Sequence, residues 1–342
     1  MRAVVVREHG GPEVLKIEER ADPVAGPGEV AVRVRACAIN HLDVWVRRGL
    51  PGAPFHLPRI GGADIAGEVH AIGAGVEDVR IGDPVMVAPA TSCGRCPRCL
   101  AGLDHLCDHY AILGEGTDGG LADLIVVPRA NLVPKPERFS FTEAAAMSLP
   151  WLTAWHMLVA RAELRGGETV LIHAAGSGVS TAGLQIARFL GARIIATASS
   201  PAKLAHARRL GADEVIDTSA EDFGARVRAL TDRRGVDVVL EHVGGDTFAR
   251  SMRVLARAGR LVTCGATTGH EAHIDLRHVF FKSQSILGST MGSKAEFHQL
   301  VRLYGRGIFE PVIHRVLPLD AIREAHEALE RREAIGKVVL VP

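Results

Sequence analysis

The stretch Val170-Leu171-Ile172-His173-Ala174-Ala175-Gly176-Ser177-Gly178-Val179-Ser180-Thr181 decides the fold. Residues 170–173 read as a buried strand, the small residues after them as a tight turn, and residues 180–190 as a helix. Outward from there, 193–197 reads as a strand and 201–210 as a helix, followed by strands at 214–216, 236–240 and 260–263. Strands alternating with helices imply parallel βαβ units in a doubly wound α/β sheet. The small residues of the turn let a pyrophosphate approach the free N–H groups of a helix N-terminus, where the helix dipole favours an anion. A G-x-G-x-x-G fingerprint would fall on Ala175, Ser177 and Ser180, an imperfect match. Its place between strand and helix points to a dinucleotide held by Gly176, Ser177, Gly178 and Val179; an ordinary tight turn is the competing reading.

Residues 1–125 have another texture. Runs rich in β-branched residues at 30–34, 65–72 and 85–87 are separated by Gly10-Gly11-Pro12, Gly26-Pro27-Gly28 and Gly82-Asp83-Pro84, which reads as a partly closed β architecture. The expected organisation is a β domain at 1–125, a connecting segment at 126–149 and a dinucleotide-binding domain at 150–285. A C-terminal segment, 286–342, carries helices near 294–305 and 319–332 and returns to the first domain with a last strand, Lys337–Val341. A chain of 342 residues suits two domains at about 150 residues each.

Lys+Arg 40 against Asp+Glu 39 leaves a net charge of +1, so nothing points to nucleic acid. Apolar runs stay strand-sized, far below the ~20 residues of a bilayer span, and the start lacks a signal-peptide pattern. A cytoplasmic protein handling a small molecule is expected. Six Lys against 34 Arg, with two Asn and three Gln, fits a thermophile's poverty in labile amides, or a GC-rich genome.

Four of six cysteines are bunched as Cys93, Cys96, Cys99 and Cys107, in the spacing C-x2-C-x2-C-x7-C. Four thiolates at that spacing suit one tetrahedral Zn²⁺ with no open ligand position, hence a structural site. An iron–sulfur cluster fits less well because the last gap is too long, and disulfides or plain thiols would also account for the four residues.

An NAD site places an acid about 20 residues past the turn to hold the ribose 2′-OH. Here the chain reads Ala198-Ser199-Ser200-Pro201-Ala202-Lys203, with no acid, two hydroxyls and a cation. Ser199, Ser200 and Lys203 would welcome a 2′-phosphate, so NADP(H) is favoured over NAD(H). Without that role, Lys203 would be a solvated helix residue.

The chain resembles the medium-chain dehydrogenase/reductase superfamily over essentially its whole length. The resemblance rests on 40–49, on 62–67 with Glu68-Val69, on the cysteine lobe, and on Thr117-Asp118-Gly119-Gly120-Leu121-Ala122. It continues in Leu152-Thr153-Ala154-Trp155, the Gly-rich turn and Gly336-Lys337-Val338-Val339. It looks most like the quinone-oxidoreductase-like branch that keeps a structural zinc lobe. The resemblance implies a chaperonin-10-like (GroES-like) β domain, a Rossmann domain, and a homodimer or homotetramer. It also adds Gly265 and the cation Lys337 to the cofactor residues.

Zinc alcohol dehydrogenases of this superfamily hold a second, catalytic zinc with a Cys, a His-Glu pair and a further Cys or acid. Here those positions read Asn40, Ala63-Asp64 and a residue near Leu149. An amide, a methyl and an isobutyl group cannot hold zinc as a Lewis acid. The expectation is therefore an NAD(P)H-dependent oxidoreductase that reduces a quinone or activated C=C without catalytic zinc. Asn40 and Asp43 would shape the nicotinamide end, and Trp45, Trp151 and Thr153 would line the substrate pocket. His41, Asp64 and His156 are proton-donor candidates or structural hydrogen-bonding groups. A zinc-type alcohol dehydrogenase and a non-catalytic NADPH-binding protein are the rival readings.

Overall fold

Six strands make the sheet of the unit Pro150–Gly292: β1 (Thr169–Ile172), β2 (Arg193–Ala198), β3 (Glu214–Asp217), β4 (Val236–Glu241), β5 (Leu255–Thr263) and β6 (Ser285–Gly288). In this computed structural model, which describes residues 1–50, 52 and 55–342, they lie in the order 3-2-1-4-5-6, all parallel. Between successive strands come α1 (Gly178–Phe189), α2 (Pro201–Arg209), α3 (Phe223–Leu230), α4 (Gly245–Val254) and α5 (Leu276–Phe281). The strand order reverses beside β1, and at such a switch point ligands bind outside the carboxyl ends of the strands. β1 and β4 are buried at every position because helices cover both faces of a doubly wound sheet. Leu171, Ile195, Val239 and Leu261 pack with Phe223 and Met252 into a hydrophobic core. Helix α1 lies close on the sheet: a Cβ at Gly183 would come within 2.9 Å of Leu240 Cδ1. Strand β6 was not expected. It is four residues long and mostly exposed, which leaves little hydrophobic pattern to read, and it carries the unit past 285 to Gly292.

The other unit joins Met1–Leu149 to Ser293–Pro342. Its largest sheet runs Leu132–Pro134, Pro84–Val87, Asp64–Ile72, Glu29–Ala38, Lys337–Val341 and Ile313–Pro318, with Leu124–Pro128 also paired to Glu29–Ala38. Residues 126–149 are thus not a free connector; two of their stretches are strands of this sheet, satisfying backbone groups that a connector would leave to water. The register fixes which side chains meet at the strand ends. Ala38 lies opposite Asp64 on one side and opposite Val339 on the other. Helices Lys294–Gly305 and Ile322–Glu330 precede the final strand. Among the described residues, no helix is long and apolar enough to cross a membrane.

Candidate functional site

The Gly-rich turn leaves donors free at the end of β1. Ala174 takes a left-handed conformation, φ +50. That is one residue ahead of Ala175, where the fingerprint would place its tight-turn glycine; β1 ends at Ile172, so the chain reverses sooner. Ser177 caps α1, its hydroxyl oxygen accepting from the Ser180 N–H at 3.1 Å. Gly178 and Val179 stand in the first turn, where N–H groups have no intrahelical acceptor. A Cβ on Gly176 would lie 2.9 Å from Lys203 Cδ, so the lysine stem passes directly over the turn. Lys203 belongs to the first turn of α2, which Ser200 precedes as N-cap, and Ser199 is exposed. Gly265 follows β5 and is half-buried.

Two histidines that sequence reasoning passed over tie this region together. His242 Nε2 lies 2.8 Å from Ser180 Oγ and 3.2 Å from Ser177 Oγ. His173 bonds Thr197 Oγ1 at 3.0 Å and Ser251 Oγ at 2.8 Å, linking β1 to β2 and to α4. Burial, with His242 and Arg250 nearby, pushes the His173 pKa down to about 3, so the imidazole is neutral. Nothing local marks these residues, because the side-chain bonds just described span 24 to 78 residues.

In the β-rich unit, adjoining strand ends deliver Asn40, Asp64 and Lys337 to one place. Asn40 precedes the helix His41–Arg48 as its N-cap. Its Nδ2 donates to Asp64 Oδ2 at 2.9 Å, and its Oδ1 accepts from Lys337 Nζ at 2.5 Å. Lys337 Nζ also donates to Asp64 Oδ2 at 2.7 Å and to the Ile39 carbonyl at 2.8 Å. The other oxygen of Asp64 accepts from the Leu149 N–H. Asp64 is fully buried and Lys337 nearly so. Lys337, expected at the cofactor, is therefore engaged inside this unit, because the last strand pairs antiparallel with Glu29–Ala38 and turns the lysine inward. Desolvating such a pair costs several kcal/mol per ion, which only saturated hydrogen bonding recovers.

Asp43 accepts from the Asn40 N–H and the Gly62 N–H, each at 2.7 Å. Burial raises its pKa to about 6 against the pull of those two bonds. With both oxygens engaged by backbone, it acts here as a brace. Helix His41–Arg48 is anchored further by fully buried Arg47, which pairs with Glu330 and bonds the Gly10 carbonyl at 3.2 Å. Trp45 is half-buried, its ring edge-on to His41 at 6.4 Å, and burial lowers the His41 pKa. Trp151, Thr153 and His156 belong to the other unit and are buried; Thr153 Oγ1 bonds Met291 Sδ at 3.8 Å.

Cys93, Cys96, Cys99 and Cys107 form the one group of three or more His, Cys, Asp or Glu side chains among the described residues that could hold a metal, their Sγ atoms all within 4.8 Å of one another. Cys107 Sγ is 3.5 Å and Cys99 Sγ 3.9 Å from Cys93 Sγ. Thiolates at Zn–S bond length on a tetrahedral ion lie about 3.8 Å apart. The backbone N–H groups of Cys99 and His109 point at the sulfurs of Cys96 and Cys107, at 3.5 and 3.3 Å, and those of Arg95 and Cys96 hold the Cys93 thiol down, while burial and the neighbouring sulfurs push Cys96 up. Donors aimed at sulfur favour thiolates, so the quartet fits zinc.

Residues 26–137 match the alcohol dehydrogenase GroES-like domain, and 178–306 match the zinc-binding dehydrogenase family. A quinone oxidoreductase of Pseudomonas aeruginosa is 35% identical over 98% of this chain and 97% of its own. The chain belongs to the medium-chain dehydrogenase/reductase superfamily. An NAD-dependent alcohol dehydrogenase of Saccharolobus solfataricus is 32% identical over the whole of both chains. A solved NAD-dependent alcohol dehydrogenase superposes with a TM-score of 0.96 at 49% identity, again over both whole chains. As a member of this superfamily the protein is an NAD(P)-dependent oxidoreductase with a GroES-like domain and a Rossmann sheet. The positions that hold a catalytic zinc in zinc-using members do not fit one here. Asn40 and Asp64 already bond the Lys337 ammonium, whose positive charge at 2.7 Å from the carboxylate opposes a divalent cation.

Proposed function

We propose that this oxidoreductase uses NADPH to reduce a quinone or an activated C=C bond, with no catalytic metal. The observation that carries the reading is the Lys337–Asp64 ion pair bonded to Asn40, which fills the acceptors a catalytic zinc would need. Gly176, Ser177, Gly178 and Val179 would hold the cofactor diphosphate, Ser199, Ser200 and Lys203 the 2′-phosphate, and Gly265 would lie near the other half of the site. The bound cofactor supplies the hydride, and this chain supplies binding and orientation. Trp45, Trp151 and Thr153 are each proposed as substrate-contacting residues, and one structural zinc per chain holds the cysteine lobe. The 49% identity to an NAD-dependent alcohol dehydrogenase favours a second reading, oxidation of a small alcohol.

One experiment separates the two. Purified protein is assayed for NADPH and NADH oxidation against quinones, enones and aldehydes, and for the reverse alcohol reaction, with zinc counted on the same sample. The proposal expects NADPH oxidation with a quinone or enone at one zinc per chain. It also expects Lys203→Ala to lower kcat/KM for NADPH about tenfold relative to NADH, the effect of losing one charge-assisted bond. Alcohol turnover with NAD⁺ that disappears with a second zinc overturns it.

A further inference from the structure

The amide of Asn40 can face only one way. An ammonium offers donors alone and a carboxylate acceptors alone. With Lys337 Nζ on one side and Asp64 Oδ2 on the other, the amide oxygen must point at the lysine and the amide nitrogen at the aspartate. The two charges also bond each other, closing a three-membered ring of contacts at 2.5, 2.7 and 2.9 Å. One Nδ2 hydrogen is thereby used, and among the described residues nothing accepts the second. Asp64 is fully buried and Lys337 nearly so, while Asn40 keeps part of its surface exposed. A buried ion pair is thus joined to the amide of a partly exposed residue, with one donor to spare.

We infer that Lys337 and Asp64 are positioning residues that aim the second amide hydrogen of Asn40 at the oxygen of the hydride acceptor, a quinone or enone carbonyl. The inference rests on the proposed quinone or enone reduction and names the group that replaces a Lewis acid in it. As hydride adds to the acceptor, the carbonyl oxygen gains negative charge; a fixed N–H stabilises it without reorganising, and water supplies the proton. Asn40 donates a hydrogen bond and no proton.

The test exploits a compositional accident: Asn40 and Asn131 are the two asparagines of the sequence. Protein labelled with 15N-asparagine therefore gives two side-chain amide pairs in an NMR correlation spectrum. Asn131 is the internal control, its Nδ2 donating to the Ala88 and Ala90 carbonyls at 2.9 and 2.7 Å. The probe is 2-cyclohexen-1-one with NADP⁺, which has no hydride to transfer. The expected result is a widely split Asn40 pair with one hydrogen shifting on addition of the probe, while Asn131 stays still. Lys337→Met should collapse the splitting and abolish the shift. Because that change strands Asp64, the double variant Lys337→Met/Asp64→Asn removes both charges together and should behave the same way at a melting temperature closer to that of wild type. An Asn40 pair indifferent to both the probe and Lys337→Met overturns the inference. In kinetics, Asn40→Asp keeps an acceptor for Lys337 and loses both donors; kcat should fall about 100-fold with KM for NADPH within about twofold. If wild type reduces quinones or enones and Asn40→Asp retains its kcat, the inference fails and the functional reading stands. If wild type reduces none of them, the functional reading fails, and the spectrum still decides whether the amide meets a carbonyl.

Discussion

Asp43 braces the chain with both of its carboxylate oxygens. The proposed place of Asp43 at the nicotinamide end is separate from this contact, in which the Asn40 and Gly62 N–H groups donate to its two oxygens. Its pKa, raised by burial to about 6, lies above the unfolded value of 3.8. The native state therefore binds the extra proton between those two values, so this group's contribution to stability falls as pH rises from about 4 to 6 and stays low above that. The whole effect is at most roughly 3 kcal/mol. Asp43→Asn, which turns an NH2 toward one of the two N–H donors, should destabilise the protein by about 1–3 kcal/mol at acid pH. The gap between variant and wild type should narrow as pH rises. Urea unfolding of both proteins at pH 4.5 and 7.5 checks this, and a gap that widens with pH would count against the assignment.

At the scale of elements, the cysteine lobe is coupled to its unit through one short turn. Asp104, between Cys99 and Cys107, accepts from the Lys294 N–H at 3.0 Å and pairs with Lys294 Nζ at 3.1 Å. Lys294 opens the helix that ends near Tyr304, whose hydroxyl donates to the Met147 carbonyl at 2.9 Å. Stripping the metal should loosen the lobe and lower the melting temperature by something on the order of 10 °C, as loss of about 3 kcal/mol would. Activity at room temperature should survive, since the quartet leaves no ligand position open for substrate. Thermal scans and assays before and after chelation measure both. Activity lost ahead of stability would place the metal in the chemistry instead.

For the whole molecule, the proposed assembly is a homodimer or homotetramer joined through the β6 edge of the six-stranded sheet. Strand β6 pairs with β5 alone among the described residues, and Ile286 on it is 41% exposed. Helix α5, just before it, exposes Leu276, Phe280 and Phe281 at 65, 62 and 69%. An apolar strip beside an unpaired edge is an aggregation hazard unless covered. Light scattering should give at least twice the 36.5 kDa chain mass, and Ile286→Lys should shift it toward the monomer. A wild-type mass equal to one chain at all concentrations would refute the assembly.

Features built from neighbours in the chain are legible in the sequence itself. The small residues after β1, the βαβ alternation and the C-x2-C-x2-C-x7-C spacing each encode their geometry within a few residues, because strand period, helix capping and ligand reach are local properties. The position of Lys203 over Gly176 follows for the same reason, since one βαβ unit brings both to the same turn. Lys337 could not be read that way. Its identity was plain, but its partners, Asn40 at a separation of 297 residues and Asp64 across the sheet, depend on which strands pair and in which register. Pairing is settled by burial of whole sheet faces, and a shift of one residue would have turned the ammonium to the opposite face. His173 belongs to the same class: nothing near it in the chain marks it, and packing against Thr197 and Ser251 makes it a neutral tie.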